Sequence, residues 1–172
     1  MRIISSLVIL LSLISCSRKT DVELYTEGKA AEERKDYQTA AQLYEEAVEK
    51  FQSSAYAESS LIHLAFMYNN NIKDAQKAVN AYRRFYELFP NSKQAPTMLF
   101  LSAFIYNNEL HQLDSARQIY ETFIQKYPDH ELAPSAKFEL STLGQDPGQV
   151  LNPAVTLKDE MKKDNVKKAG KK

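Results

Sequence analysis

Between residues 21 and 143, apolar side chains recur three and four positions apart, with charged and amide residues between them. That spacing places them on one face of an α-helix. Two kinds of stripe alternate. Leu24, Gly28 and Ala31 make the first kind, matched by Leu61, Ala65 and Tyr68 and again by Leu99, Ala103 and Tyr106. Ala40, Tyr44 and Ala47 make the second, matched by Ala78, Tyr82 and Phe85 and by Ala116, Tyr120 and Phe123. The pattern predicts paired helices over 21–34 with 37–51, 56–70 with 74–89, and 93–107 with 114–127, then a single helix over 132–143. Asp36, Asp74 and Asp114 are the expected N-caps, because a short carboxylate accepts the free amide hydrogens of a first turn.

The stripes keep register. Ala40, Ala78 and Ala116 lie 38 residues apart, as do Tyr44, Tyr82 and Tyr120, and Phe51, Phe89 and Tyr127. Pro90 and Pro128 close the second and third copies, and Gln52 holds that slot in the first. This resembles the tetratricopeptide repeat, whose small residues let two helices approach and whose aromatics fill the space between successive hairpins. The resemblance implies an all-α solenoid of about three helix pairs plus a capping helix, with Ser135, Lys137, Glu139 and Ser141 on the cap's polar outer side. The period exceeds the usual 34. One extra residue is expected in the turns around Asn69–Lys73 and Asn107–Gln112, and three more between each closing proline and the next leucine. The linkers Phe89-Pro-Asn-Ser-Lys-Gln-Ala-Pro96 and Tyr127-Pro-Asp-His-Glu-Leu-Ala-Pro134 are similar in style to the envelope tetratricopeptide group that includes BamD and CpoB.

The amino-terminal end differs from this pattern. Arg2 precedes an apolar run, Ile3 to Ile14, that is too short to span a bilayer and has the length of a signal-peptide core. Leu13-Ile14-Ser15-Cys16 closes it, and Cys16 is the only cysteine. This resembles a bacterial lipobox, which implies cleavage before Cys16 and acylation of that residue. A plain signal peptide leaving a free thiol is the alternative. The expected organisation is a signal peptide over 1–15, a lipid-anchored linker over 16–20, the repeat domain over 21–143 and a Lys-rich disordered tail over 144–172. Ser17 stands where an inner-membrane retention aspartate would be, so the resemblance implies the outer membrane, with the domain facing the periplasm.

Lysine and arginine balance aspartate and glutamate, 22 against 22, so no global basic field points to nucleic acid. From Lys158 onward, seven lysines face Asp159, Glu160 and Asp164, which gives +7 − 3 = +4. Such a tail can touch anionic head groups or an acidic partner, or remain solvated. Catalytic signals are missing: His63, His111 and His130 lack metal spacing, and there is no phosphate loop or nucleophile motif. Glu32-Glu33 and Glu45-Glu46 read as solvated faces. The sequence therefore predicts a protein that is not an enzyme and uses no cofactor or metal.

By the repeat's register, the partner-binding face is lined by first-helix residues. These are Tyr25 and Lys29, Ile62 and Phe66, Phe100 and Phe104, and Phe138, with Asn69 and Asn107 one turn on. Phe100 and Phe104 share a helical face, as do Ile62 and Phe66, so they are expected to form an apolar strip. That composition suits an apolar or amphipathic segment better than a terminal carboxylate. The expected partners are envelope proteins or their peptide segments, with the membrane engaged through the lipid. The expected role is a scaffold in outer-membrane protein assembly. Coordination of cell-wall synthesis or division, and an accessory subunit of an envelope enzyme or secretion complex, are the alternatives.

Overall fold

The computed structural model describes residues 18–145. The expected signal peptide, Cys16 and the tail expected beyond Gln145 lie outside the described residues. Seven α-helices succeed one another: α1 (Asp21–Glu33), α2 (Tyr37–Lys50), α3 (Ala55–Met67), α4 (Ala75–Leu88), α5 (Ala95–Asn108), α6 (Leu113–Lys126) and α7 (Ala133–Ser141). Each packs on its sequence neighbours, giving three hairpins and a closing single helix, the tetratricopeptide-type solenoid expected from the register.

Local chemistry sets the helix starts. Thr20 and Glu23 form a reciprocal capping box on α1. Asp36, Ser54 and Asp74 accept amide hydrogens of Thr39, Ala57 and Lys77 at 3.2, 2.9 and 2.9 Å. Asp114 departs from expectation. Helix α6 begins one residue earlier, with Gln112 at the cap position and no side-chain cap bond, so Asp114 lies within the first turn. There its charge still favours the helix dipole.

The turns inside the hairpins show where the extra residue goes. Lys35, Lys73 and His111 all take left-handed backbone, with φ of 62°, 62° and 52°. The next amide reaches back to Ala31 in the first hairpin, to Tyr68 in the second and to Tyr106 in the third, at 2.9, 2.9 and 2.8 Å. The second and third bonds span one residue more than the first. In the second hairpin α3 absorbs it by widening into a π-helical turn over Tyr68–Ile72.

Small residues meet aromatics in the core. A side-chain carbon on Gly28 would lie 2.6 Å from Cε1 of Tyr44, so glycine is what lets α2's ring seat on α1. Ala65, Ala78, Ala103 and Ala116 are fully buried, as are Tyr44, Tyr120, Phe85 and Phe123, with Tyr82 nearly so. Each such ring contributes roughly 1.5–3 kcal/mol through burial. The Tyr44 hydroxyl donates to Glu32 at 2.8 Å, whereas the Tyr120 hydroxyl has no partner among the described residues.

Candidate protein-binding face

Successive first helices bring the expected positions into rows. Tyr25, Ile62, Phe100 and Phe138 occupy one register position, Lys29, Phe66 and Phe104 the next turn, and Asn69 and Asn107 the turn after. The rows differ in exposure. Phe66 and Phe104 are each 38% exposed and Phe138 is 52% exposed. Phe66 rests edge-on against Tyr82 with ring centroids 5.7 Å apart, which leaves its outer side in solvent. Phe100 is the exception to the expected strip. It is only 9% exposed, packed at 5.7 Å from the Tyr120 ring and 5.9 Å from the Phe123 ring. The next second helix covers it, so it is core. Ile62 and Tyr25 are half-buried against the core, the Tyr25 ring sitting 6.2 Å from Tyr44 of α2 and 5.5 and 5.9 Å from Tyr56 and His63 of α3.

A polar rung borders the apolar positions, and the sequence pattern did not reveal it. Glu32 was expected on a solvated face, but it is partly buried between helices. It accepts from the Tyr44 hydroxyl and lies 3.0 Å from Nδ1 of His63. His63 also stacks on Tyr44 at 5.5 Å. Burial, with the Glu32 hydrogen bond second, holds the Tyr44 phenol well above its ordinary range, so it remains a donor. Two repeats on, Asn107 donates to Glu139 of α7 at 3.3 Å. Between these two, facing Asn69 of the second hairpin, the residue of α5 that matches His63 and Glu139 is Leu101, whose side chain has no polar atom to offer. Asn69 accordingly keeps a buried, unpartnered Oδ1, while its amide nitrogen donates to Asn70 at 3.1 Å. Glu45 is likewise engaged, accepting from Arg84 at 2.9 Å across α2 and α4.

The other side of the solenoid carries clefts between second helices. Arg83, Tyr86, Leu99, Tyr106 and Ile119 line one of about 300 Å³. Its counterpart one repeat earlier is about 180 Å³ and is lined by both members of the Glu45–Arg84 pair. The three histidines occupy separate surroundings. His63 faces Glu32, His111 makes a turn, and Nδ1 of His130 accepts from the Leu132 amide at 3.2 Å. Among the described residues no three His, Cys, Asp or Glu side chains come together as a metal site.

The described residues thus form a seven-helix solenoid that exposes Phe66 and Phe104 at one register position. The model of the YfiO family, described as outer membrane lipoprotein, matches residues 17–146. The chain belongs to the YfiO family. No curated protein matches it. The BamD-like side of the sequence resemblance thus stands, and the YfiO match carries nothing particular to CpoB. Membership in an outer-membrane lipoprotein family supports a place in the cell envelope. No helix among the described residues is long and apolar enough to cross a membrane.

Proposed function

We propose that this chain is a lipid-anchored, periplasm-facing scaffold, not an enzyme, that binds an apolar or amphipathic segment of an envelope protein during outer-membrane protein assembly. The carrying observation is the repeated exposure of Phe66 and Phe104, one period apart on adjacent first helices. An exposed ring at one position is ordinary, but the same exposure recurring at one register position on successive first helices favours a shared binding face. Tyr82 supports one ring from beneath, and Lys29 holds the same register position on α1 with a cationic group that can meet a polar one of the partner. An amphipathic helix or strand laid across first helices would present apolar side chains to the rings and polar groups to the rung.

The anchor reading rests on the lone Cys16 behind its apolar leader, and the family match, which opens at residue 17, supports it. Acylation by more than one chain gives stable membrane attachment, each buried methylene contributing about 0.8 kcal/mol.

The test is affinity capture of the detergent-solubilised protein with Phe66→Ala and Phe104→Ala combined. The expected result is loss of at least tenfold of the captured outer-membrane assembly component, as for anchors worth roughly 2 kcal/mol or more, with the helical signal retained. Undiminished capture by a folded double variant would remove this face from the account.

A further inference from the structure

The register of the second helices runs past the last described residue. The alanine that opens each of them, at 40, 78 and 116, recurs once more at Ala154. One period of 38 beyond α6 lies the segment 151–164, Leu-Asn-Pro-Ala-Val-Thr-Leu-Lys-Asp-Glu-Met-Lys-Lys-Asp. Its apolar residues Ala154, Leu157 and Met161 fall three and four apart and match Ala116, Ile119 and Phe123 of α6. Pro153 falls in what would be the first helical turn, where its missing amide hydrogen costs nothing.

The structure supplies the seat. Helix α7 begins in register with α5: Ala133 and Pro134 match Ala95 and Pro96, and Phe138 matches Phe100. Phe100 is closed over by Tyr120 and Phe123 of the next helix. Phe138, at the same place, is 52% exposed, the most open large apolar residue among the described ones. Three residues past α7, Gly144 takes left-handed backbone at φ 76°, as His111 does at 52° three residues past α5 just before the chain turns into α6. A reversal therefore already begins where the described chain ends, and residues 146–172 remain to cover the open face.

We propose that residues 151–164 dock on the exposed face of α7 as a fourth second helix, with Met161 and the Lys158 stem seated on Phe138. Lys158 and Met161 are the positions matching Tyr120 and Phe123. A thioether packs well against a phenylalanine ring, often at its edge, and an ammonium suits the ring's face. The fold already uses the second contact twice, with Lys77 over Tyr68 and Lys126 over Tyr86, each 5.4 Å from the ring centroid. The segment itself is neutral, with Lys158, Lys162 and Lys163 against Asp159, Glu160 and Asp164, so apolar register rather than charge carries the docking.

The proposal is tested on the full mature chain carrying the photoreactive p-benzoylphenylalanine in place of Phe138. That exposed position accepts the larger ring without disturbing the core. The expected product is an intramolecular cross-link mapped to 151–164, reduced about tenfold by Met161→Asp and unaffected by Lys171→Asp. Cross-links to a second copy, to a co-purifying protein or to another part of the chain would overturn the proposal, as would none at all. A second measurement leaves Phe138 in place: hydrogen exchange across α7 should quicken about tenfold in the Met161→Asp chain. Unchanged exchange would also overturn it.

Discussion

Replacing Phe100 and Phe104 separately by alanine asks whether two rings one turn apart do different work. Phe100 is 9% exposed and wedged against Tyr120 and Phe123. Truncating it forfeits the transfer energy of a whole ring and opens a cavity between α5 and α6, about 3–5 kcal/mol. Phe104 is 38% exposed. Only about three-fifths of its area leaves water on folding, so its contribution is roughly 1–2 kcal/mol. For a domain of this size each kcal/mol shifts the melting temperature by roughly 3–5 °C. Phe100→Ala should therefore melt roughly 10–20 °C lower and Phe104→Ala roughly 3–10 °C lower, read by circular dichroism at equal protein concentration. Because solenoid repeats are coupled through their neighbours, hydrogen exchange should quicken in α6 for Phe100→Ala and much less for Phe104→Ala. Equal losses, or a greater loss at Phe104, would refute the division of this helix face into core and surface.

Other changes test the same packing. Ala116→Leu overpacks a fully buried helix contact and should cost about 1–3 kcal/mol; Glu121→Leu on the exposed side of α6 should stay within about 0.5 kcal/mol, measured by urea denaturation. Burial first raises the phenols of Tyr44, Tyr82 and Tyr120, aided by the Glu32 hydrogen bond, by Glu109 and by Glu139 respectively. A raised phenol means that the folded state holds its proton more tightly, so stability is intact below the ordinary value of 10.0 and is lost as pH climbs above it. Each tyrosine steepens that loss by about 1.4 kcal/mol per pH unit, and Tyr120→Phe should flatten the alkaline slope by that amount while leaving neutral stability unchanged or improved, because its hydroxyl is unpartnered. Cys16→Ser should shift the protein from the membrane pellet to the soluble fraction or leave its precursor uncut, with labelled fatty acid no longer incorporated; a cleaved form that stays in the membrane would contradict the anchor.

Much of this architecture was legible because a repeated fold repeats its constraints. Gly28 and Ala65 predicted where helices approach, since any larger residue would strike an aromatic such as Tyr44, and the 38-residue register assigned the partners. The extra turn residue was visible as an offset between the first and second stripes. Its π-helical form was not, because a local change of winding leaves no mark in a polar Asn-Asn-Asn run. Phe100 was misplaced for a related reason. Spacing of four puts it and Phe104 on one face, but only the position of the next helix decides which ring is covered. The Glu32–Tyr44–His63 rung joins three different helices, so no periodicity along one helix could announce it. Asp114 lost its cap role because the helix gained a residue at its start, an end effect to which propensity is blind.

The central claim is that the first-helix face meets an envelope partner, and position-specific photo-cross-linking in living cells tests it most directly. With p-benzoylphenylalanine in place of Phe66 or Phe104, irradiation should join the chain to one outer-membrane assembly component, and the same probe in place of Glu121 on the opposite side should give none. Cross-links of equal yield from all three positions, or from Glu121 alone, would contradict the account.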